Sequence, residues 1–347
     1  MTQIKKSKNR RNHPQAIRAF QIALRGEPED QVSWLRLGEA YSNDGRHGAA
    51  LKALAWAREL NPDDWMCAYL IGDVQQNMGH YEDAITTFHS ILSERPSEVG
   101  VLSSLAEAYL NRGRAELSGK LQARAEHSFL SCIRVCLQAI QESPGFRAVL
   151  WKTMADAIFS LSIRSTYSHE EDTIEILAAI AALLPENSDH LSAFMSPPSL
   201  QNVSTLNGTK VLEIAVAAYS YRLSLGPSES VAADGSLWFD LGIALHLWAT
   251  KSSSGENGES ATAKAVTCFN QAVREDAGNI IYWIAIGNIH FLSHAKTAQH
   301  AYIKALEIEP KVCIIVNLWQ ILLDHLLITR AECCRVDESR TSLPLLH

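Results

Sequence analysis

Four sets of side chains in this 347-residue sequence have the types and spacing that can support chemistry. Cys132 and Cys136 stand four apart, on one face of a helix, as two thiolates of a metal site would. His290, His294 and His300 offer imidazoles at similar intervals. Glu39, Asp73 and Glu107 recur every 34 residues, with Asp156 as a fourth acid in a displaced copy, and Asn43, Asn77 and Asn111 each follow an acid by four. Lys5, Lys6, Lys8, Arg10 and Arg11 crowd the N-terminus. The cysteines have no second pair beside them and read as buried core, at the small-residue and aromatic packing positions of a repeat. His290 falls at an aromatic core position with no acidic helix partner, so no zinc site is expected. The basic cluster suits a nuclear address, a phosphate contact or a solvated terminus.

Enzyme signatures are absent. The sequence has no G-x4-G-K-[ST], no G-x-G-x-x-G, no G-x-S-x-G and no C-x-x-C, so neither catalysis nor a cofactor is expected. Lys and Arg total 31 against 38 Asp and Glu, a net charge of -7, which lacks the basic field of a non-specific nucleic-acid binder. Hydrophobic residues make up 47%, too many for end-to-end disorder. The seven scattered cysteines show no disulfide framework and suit a reducing compartment, cytoplasmic with nuclear placement also open. No apolar h-region follows the basic N-terminus, and the longest apolar runs, Ile176 to Leu184 and Val312 to Leu323, fall short of the ~20 residues of a membrane span. The sequons at Asn202 and Asn207 read as chance, and no small-molecule substrate is implied.

The acids owe their spacing to a repeat. Trp34, Leu37, Gly38 and Tyr41 form one helical stripe, Ala50, Leu54 and Ala57 a second, and Pro62 a stop. Adding 34 gives Ala68, Ile71, Gly72 and Gln75, then Ala84, Phe88, Ile91 and Pro96; adding it again gives Leu102, Leu105, Ala106 and Tyr109. Gly45, Gly79 and Gly113 keep the same interval and are expected at the turn inside each hairpin, where a left-handed residue is wanted. Ala16, Phe20, Ala23 and Pro28 belong to an earlier second helix. The third hairpin resumes late, at Cys132, Cys136, Ala139 and Pro144, with about 14 residues inserted. Trp151, Met154, Ala155 and Ile158 open another first helix whose partner waits until Ala215, Tyr219 and Pro227. Between them lie the acidic run His169 to Asp172, a helix expected over Thr173 to Leu184, and the breaker Ser196-Pro-Pro-Ser199. Trp238, Leu241, Gly242 and Leu245 precede a Ser/Gly loop expected to be mobile, Ser252 to Ser260, then Ala265, Phe269 and Ala272. Trp283, Ile286, Gly287 and His290 pair with Ala298, Tyr302, Ala305 and Pro310. Trp34, Trp151, Trp238 and Trp283 recur at the first core position, which favours packing over stacking on RNA bases.

W-x2-L-G-x2-Y, A-x3-F and a closing Pro resemble the tetratricopeptide (TPR) motif, which implies an all-α superhelical solenoid of about seven helical hairpins with insertions. The expected organisation is a basic tail over 1–12, a first array over 13–164, an irregular insertion with one or two helices over 165–208, a second array over 209–310, and an apolar helix and tail over 311–347. The order of repeats and insertions resembles the central array of the large scaffold subunit of the superkiller complex, the cofactor of the RNA exosome. The features that carry it are Trp34 to Tyr41, Ala53 to Pro62, the widened hairpin, Leu150 to Asp156, the long interruption, Trp238 to Gly242, Tyr282 to Gly287 and Ala298 to Ala305. That resemblance implies a non-catalytic scaffold for an RNA helicase subunit and a WD40-repeat subunit, touching RNA through the helicase, in 3'-to-5' mRNA decay. It also implies that the sequence is a fragment or a truncated gene model, since the family scaffold is much longer. A generic TPR adaptor of another assembly and the regulatory module of an enzyme are the alternatives. In TPR hairpins the first helix lines the groove, which places Glu39, Asp73, Glu107 and Asp156 with Asn43, Asn77 and Asn111 there. They either grip an extended basic segment or simply solvate an open face. Leu35, Tyr69 and Ser103 stand where a carboxylate-clamping Lys would be needed.

Overall fold

Residues 13–143, 145, 147–164, 166–184, 206–226, 235–252, 256–291 and 293–310 are described by a computed structural model. The basic N-terminal cluster, the Ser196 to Ser199 breaker and the 311–347 tail lie outside them, as do Pro144 and Pro227. Every regular element among the described residues is an α-helix, and the chain divides into two compact units, Met1–Ser230 and Val231–His347.

The first unit opens with α1 (His13–Gly26), α2 (Gln31–Asn43), α3 (His47–Leu60), α4 (Trp65–Asn77) and α5 (Tyr81–Glu94). Asp30 and Asp64, 34 apart, start α2 and α4 by accepting the Val32 and Met66 amides at 3.1 and 3.0 Å. Gly45 and Gly79 close the two hairpins at φ +81° and +82°, a backbone that side-chain-bearing residues adopt at a cost. Within each hairpin the helices touch at a missing side chain: a Cβ on Gly72 would lie 2.6 Å from the Phe88 ring. Burial follows the periodic stripes, with Ala50, Leu54 and Ala57, then Ala84, Phe88 and Ile91, all at most 4% exposed.

The third hairpin, α6 (Val99–Ser118) and α7 (Gln122–Glu142), corrects three expectations. Gly113 is not in the turn; it lies inside α6, where a Cβ would meet the Phe129 ring at 2.6 Å, the same close approach that Gly72 makes. The left-handed residue is Lys120, at φ 61°. The small-residue and aromatic positions are held by Ala125 and Phe129, while Cys132 and Cys136 follow further along α7, both fully buried. The physical reason is that each helix is seven residues longer than its counterpart, 20 against 13 for α6 and 21 against 14 for α7. Val101, Leu105 and Ala108 pack with Ala84, Ile85, Phe88 and Ile91 of α5, and of the stripe read from sequence Leu105 belongs to this cluster with Tyr109 against it. The crossing point then falls two turns later.

Next comes α8 (Arg147–Ser162), whose Trp151 is 1% exposed. Its partner is α10 (Gly208–Ser224), as the sequence suggests, with Trp151 and Tyr221 edge to face at 4.7 Å. The interruption contains α9 (Glu170–Leu183), which begins three residues before the expected start, so that Glu170, Glu171 and Asp172 form its first turn. Asn207, read from sequence as part of a chance sequon, caps α10 by accepting the Lys210 amide at 2.9 Å. Glu126 of α7 and Arg164 form a buried ion pair at 3.0 Å, their side chains 0% and 4% exposed. The same carboxylate accepts the Ser168 and His169 amides at 2.9 Å, and Arg164 donates to the Gln122 and Thr166 carbonyls. The stretch between α8 and α9 is thereby fastened to the tip of the long hairpin.

In the second unit α11 (Gly235–Lys251) pairs with α12 (Glu256–Glu275), and α13 (Ile280–His290) with α14 (Ala295–Ile308). Helix α12 starts at Glu256, so residues 256–260 of the expected Ser/Gly loop are helical. Gly242 meets Phe269 as Gly72 meets Phe88, and Gly287 does the same with Tyr302. The Trp283 indole N–H donates to the Ala277 carbonyl at 3.0 Å, as Trp34 does to Pro28 at 2.8 Å, both six residues back. This contact gives both tryptophans a polar partner and ties their two hairpins to the turn that follows the preceding helix.

Candidate partner-binding groove

Helices α2, α4 and α6 each present their acid at the same turn, and the three charges feel one another. Burial pushes the Asp73 carboxyl above its ordinary range, Asn77 and His47 oppose the shift, and the Glu39 charge adds to it. Glu107 is raised in the same way, first by desolvation and then by Asp73, with Lys152 opposing. A carboxylate moves upward when it loses water and faces like charge, and the charges that act on Asp73 and Glu107 place both in one acidic column with Glu39. The Asn77 amide donates to Asp73 at 3.2 Å, while Asn43 is exposed and Asn111 half-buried. Arg36 pairs with Glu39 at 2.8 Å, but both are largely exposed and the link is weak in water.

Asp156 is different in kind. It takes Arg114 of α6 at 3.1 Å, Lys152 one turn earlier on α8 at 3.2 Å and the Tyr219 hydroxyl of α10 at 2.7 Å. It is a junction among three helices, with its acceptor capacity already used. Lys152 terminates the acidic column with a positive charge, a residue missed from sequence although its four-residue spacing from Asp156 was a visible signal.

The other sequence candidates are placed as follows. Cys132 and Cys136 are buried, and desolvation holds the Cys132 thiol well above its usual range, so it stays protonated. His290 is half-buried rather than in the core cluster of its hairpin, and it meets His294 edge on at 5.4 Å. His300 packs against Trp283 instead, at 6.4 Å. What the groove offers chemically is three acids with acceptor capacity to spare beside amides at the same intervals, a surface for positive charge and peptide N–H groups.

Sequence and structure comparisons agree with this architecture. A tetratricopeptide repeat family model matches residues 8–64 and 69–129. Superkiller protein 3 of Schizosaccharomyces pombe is 30% identical over 299 residues, 84% of this chain and 21% of that protein. Superkiller complex protein 3 of Homo sapiens is 28% identical over 280 residues, covering 79% and 16%. The chain thus spans about a fifth of the relatives it matches. Among solved structures, the anaphase-promoting complex tetramer Cut9-Hcn1 superposes with a TM-score of 0.53 at 12% identity, over 90% of this chain and 46% of that one.

Proposed function

On the premise that this chain is an all-α TPR solenoid homologous to a fifth of the superkiller scaffold proteins, we propose that it is a non-catalytic interaction scaffold of a superkiller complex. The observation that carries the reading is the extent of the likeness. The likeness to the Schizosaccharomyces pombe protein extends over 84% of the chain, whereas the general repeat model reaches only residues 8–129, which favours the superkiller reading over a generic TPR adaptor. Its partners on this reading are an RNA helicase subunit and a WD40-repeat subunit, with RNA reached through the helicase during exosome-linked 3'-to-5' decay, in the cytoplasm. The groove column of Glu39, Asp73 and Glu107 is the candidate contact for a basic, extended partner segment.

Affinity purification of the tagged 347-residue chain from cells, followed by identification of retained proteins, tests this. An RNA helicase and a propeller protein should remain through a moderate-salt wash, and their joint absence would sink the scaffold assignment. Replacing Glu39, Asp73 and Glu107 together by Lys should weaken retention while leaving thermal stability unchanged. Unaltered retention would assign those acids to solvation alone.

A further inference from the structure

Helices α1 and α3 carry the opposite charge from the groove. Helix α1 has Arg18 and Arg25 and no acid, and α3 has Lys52 and Arg58 against the single Glu59. A cleft of about 510 Å³ opens between α1, α2 and α3. Leu24 and Leu37 form its floor, both at most 8% exposed. Trp34 and Trp56 form one wall, their rings 6.2 Å apart and inclined by 25°. Arg25 and Lys52 stand at the rim, and neither has an ion-pair partner among the described residues. Trp56 is 55% exposed, which leaves apolar ring area in water that a partner can cover.

The lining selects its occupant. A cleft of about 510 Å³ has room for a large side chain together with part of the segment that carries it. The aliphatic floor offers no donor or acceptor to a base edge, and the lining amide and phenol, Gln21 and Tyr41, are hydrogen-bonded to each other at 2.7 Å, which disfavours a nucleotide. The chain's own cluster Lys5 to Arg11 has the same sign as the rim and is repelled from it. We propose that this cleft docks an acidic linear segment of a partner protein, with one aromatic side chain seated against Trp34 and Trp56 and flanking Asp or Glu residues meeting Arg25 and Lys52. Tryptophan beside unpaired arginine is the composition of an interface hot spot. The site is separate from the groove, so it stands or falls independently of the acidic column.

The test is fluorescence anisotropy on the full 347-residue chain with labelled twelve-residue probes. They are a peptide of Asp and Glu around one central Phe, the same peptide with Gly for Phe, and a uridine twelve-mer. The Phe peptide should bind, with affinity falling as salt rises. Trp56→Ala should weaken it about tenfold, Trp56→Phe should restore most of the loss, and Arg25→Glu with Lys52→Glu should remove the salt dependence. Circular dichroism confirms that each variant folds. The proposal is overturned if the Gly peptide binds as well as the Phe peptide, if Trp56→Ala is silent, if no peptide binds, or if the uridine probe binds most tightly.

Discussion

Removing the Glu126 carboxylate is the sharpest perturbation the structure offers. Its side chain is fully buried and takes one guanidinium and two backbone amides, at 2.9 to 3.0 Å. Glu126→Ala leaves Arg164, 4% exposed, with only carbonyl partners, and strands the Ser168 and His169 amides. Breaking a buried pair from one side costs about 3–5 kcal/mol, and each amide left without an acceptor adds about 1 kcal/mol or more unless water enters. A loss of about 5 kcal/mol or more is therefore expected, concentrated in the first unit. Glu126→Leu with Arg164→Met removes both charges and should recover about half of that loss, because the desolvation of two ions is no longer required. Urea unfolding of the wild type, Glu126→Leu, Arg164→Met and the double variant gives the coupling energy, and hydrogen exchange at Ser168 and His169 in Glu126→Ala shows where protection is lost. A single-mutant loss below about 1 kcal/mol, or unchanged exchange at those two amides, would refute the claim that this pair fastens the stretch before α9.

Other expectations follow from the same contacts. Gly113→Ala places a methyl 2.6 Å from the Phe129 ring and should destabilise by about 1–3 kcal/mol in thermal melts, whereas the turn change Lys120→Gly, at φ 61°, should stabilise by about 0.5–1 kcal/mol. Asp156→Asn weakens a three-helix junction and should cost about 2 kcal/mol, with Tyr219→Phe costing less and the two losses not adding. The native carboxyls of Asp73 and Glu107 hold their protons to higher pH than the unfolded ones, so the native state binds more protons in that interval and stability falls as pH rises through it. Asp73→Asn with Glu107→Gln should flatten that slope and leave the pH 7 melting temperature no lower, as read by melts from pH 4 to 7.

The solenoid was legible because its determinants are local. A hairpin needs two stripes, a capping acid, a turn glycine and a small residue opposite a ring, and Asp30, Gly45, Gly72 and Phe88 supply them at fixed intervals. The third hairpin misled for the same reason. Gly113 keeps the 34-residue interval of the turn glycines and yet serves as the crossing residue, since only the packing partner, Phe129, distinguishes the two uses. The acids of the groove were legible as a column, but the diversion of Asp156 was not, because Arg114 and Tyr219 are 42 and 63 residues away. Glu126 and Arg164 carry no local signal at all: one sits on a surface-like helix sequence, the other in a loop, and their burial comes wholly from tertiary folding.

The lengthened third hairpin sets a rule for how such an array can change over generations. Seven residues turn a helix through about 700°, some 20° short of two revolutions, so an insertion of that size returns the buried stripe almost to its starting direction. Helices α6 and α7 each carry one such quantum, and Gly113 still meets Phe129. An insertion of five or six residues would swing the stripe toward solvent, and one placed in a single helix would shift the crossing glycine past its ring. Paired insertions close to a whole number of turns therefore keep a hairpin packed, and lengths that swing the stripe away fit better in connections such as the one that separates α9 from α10.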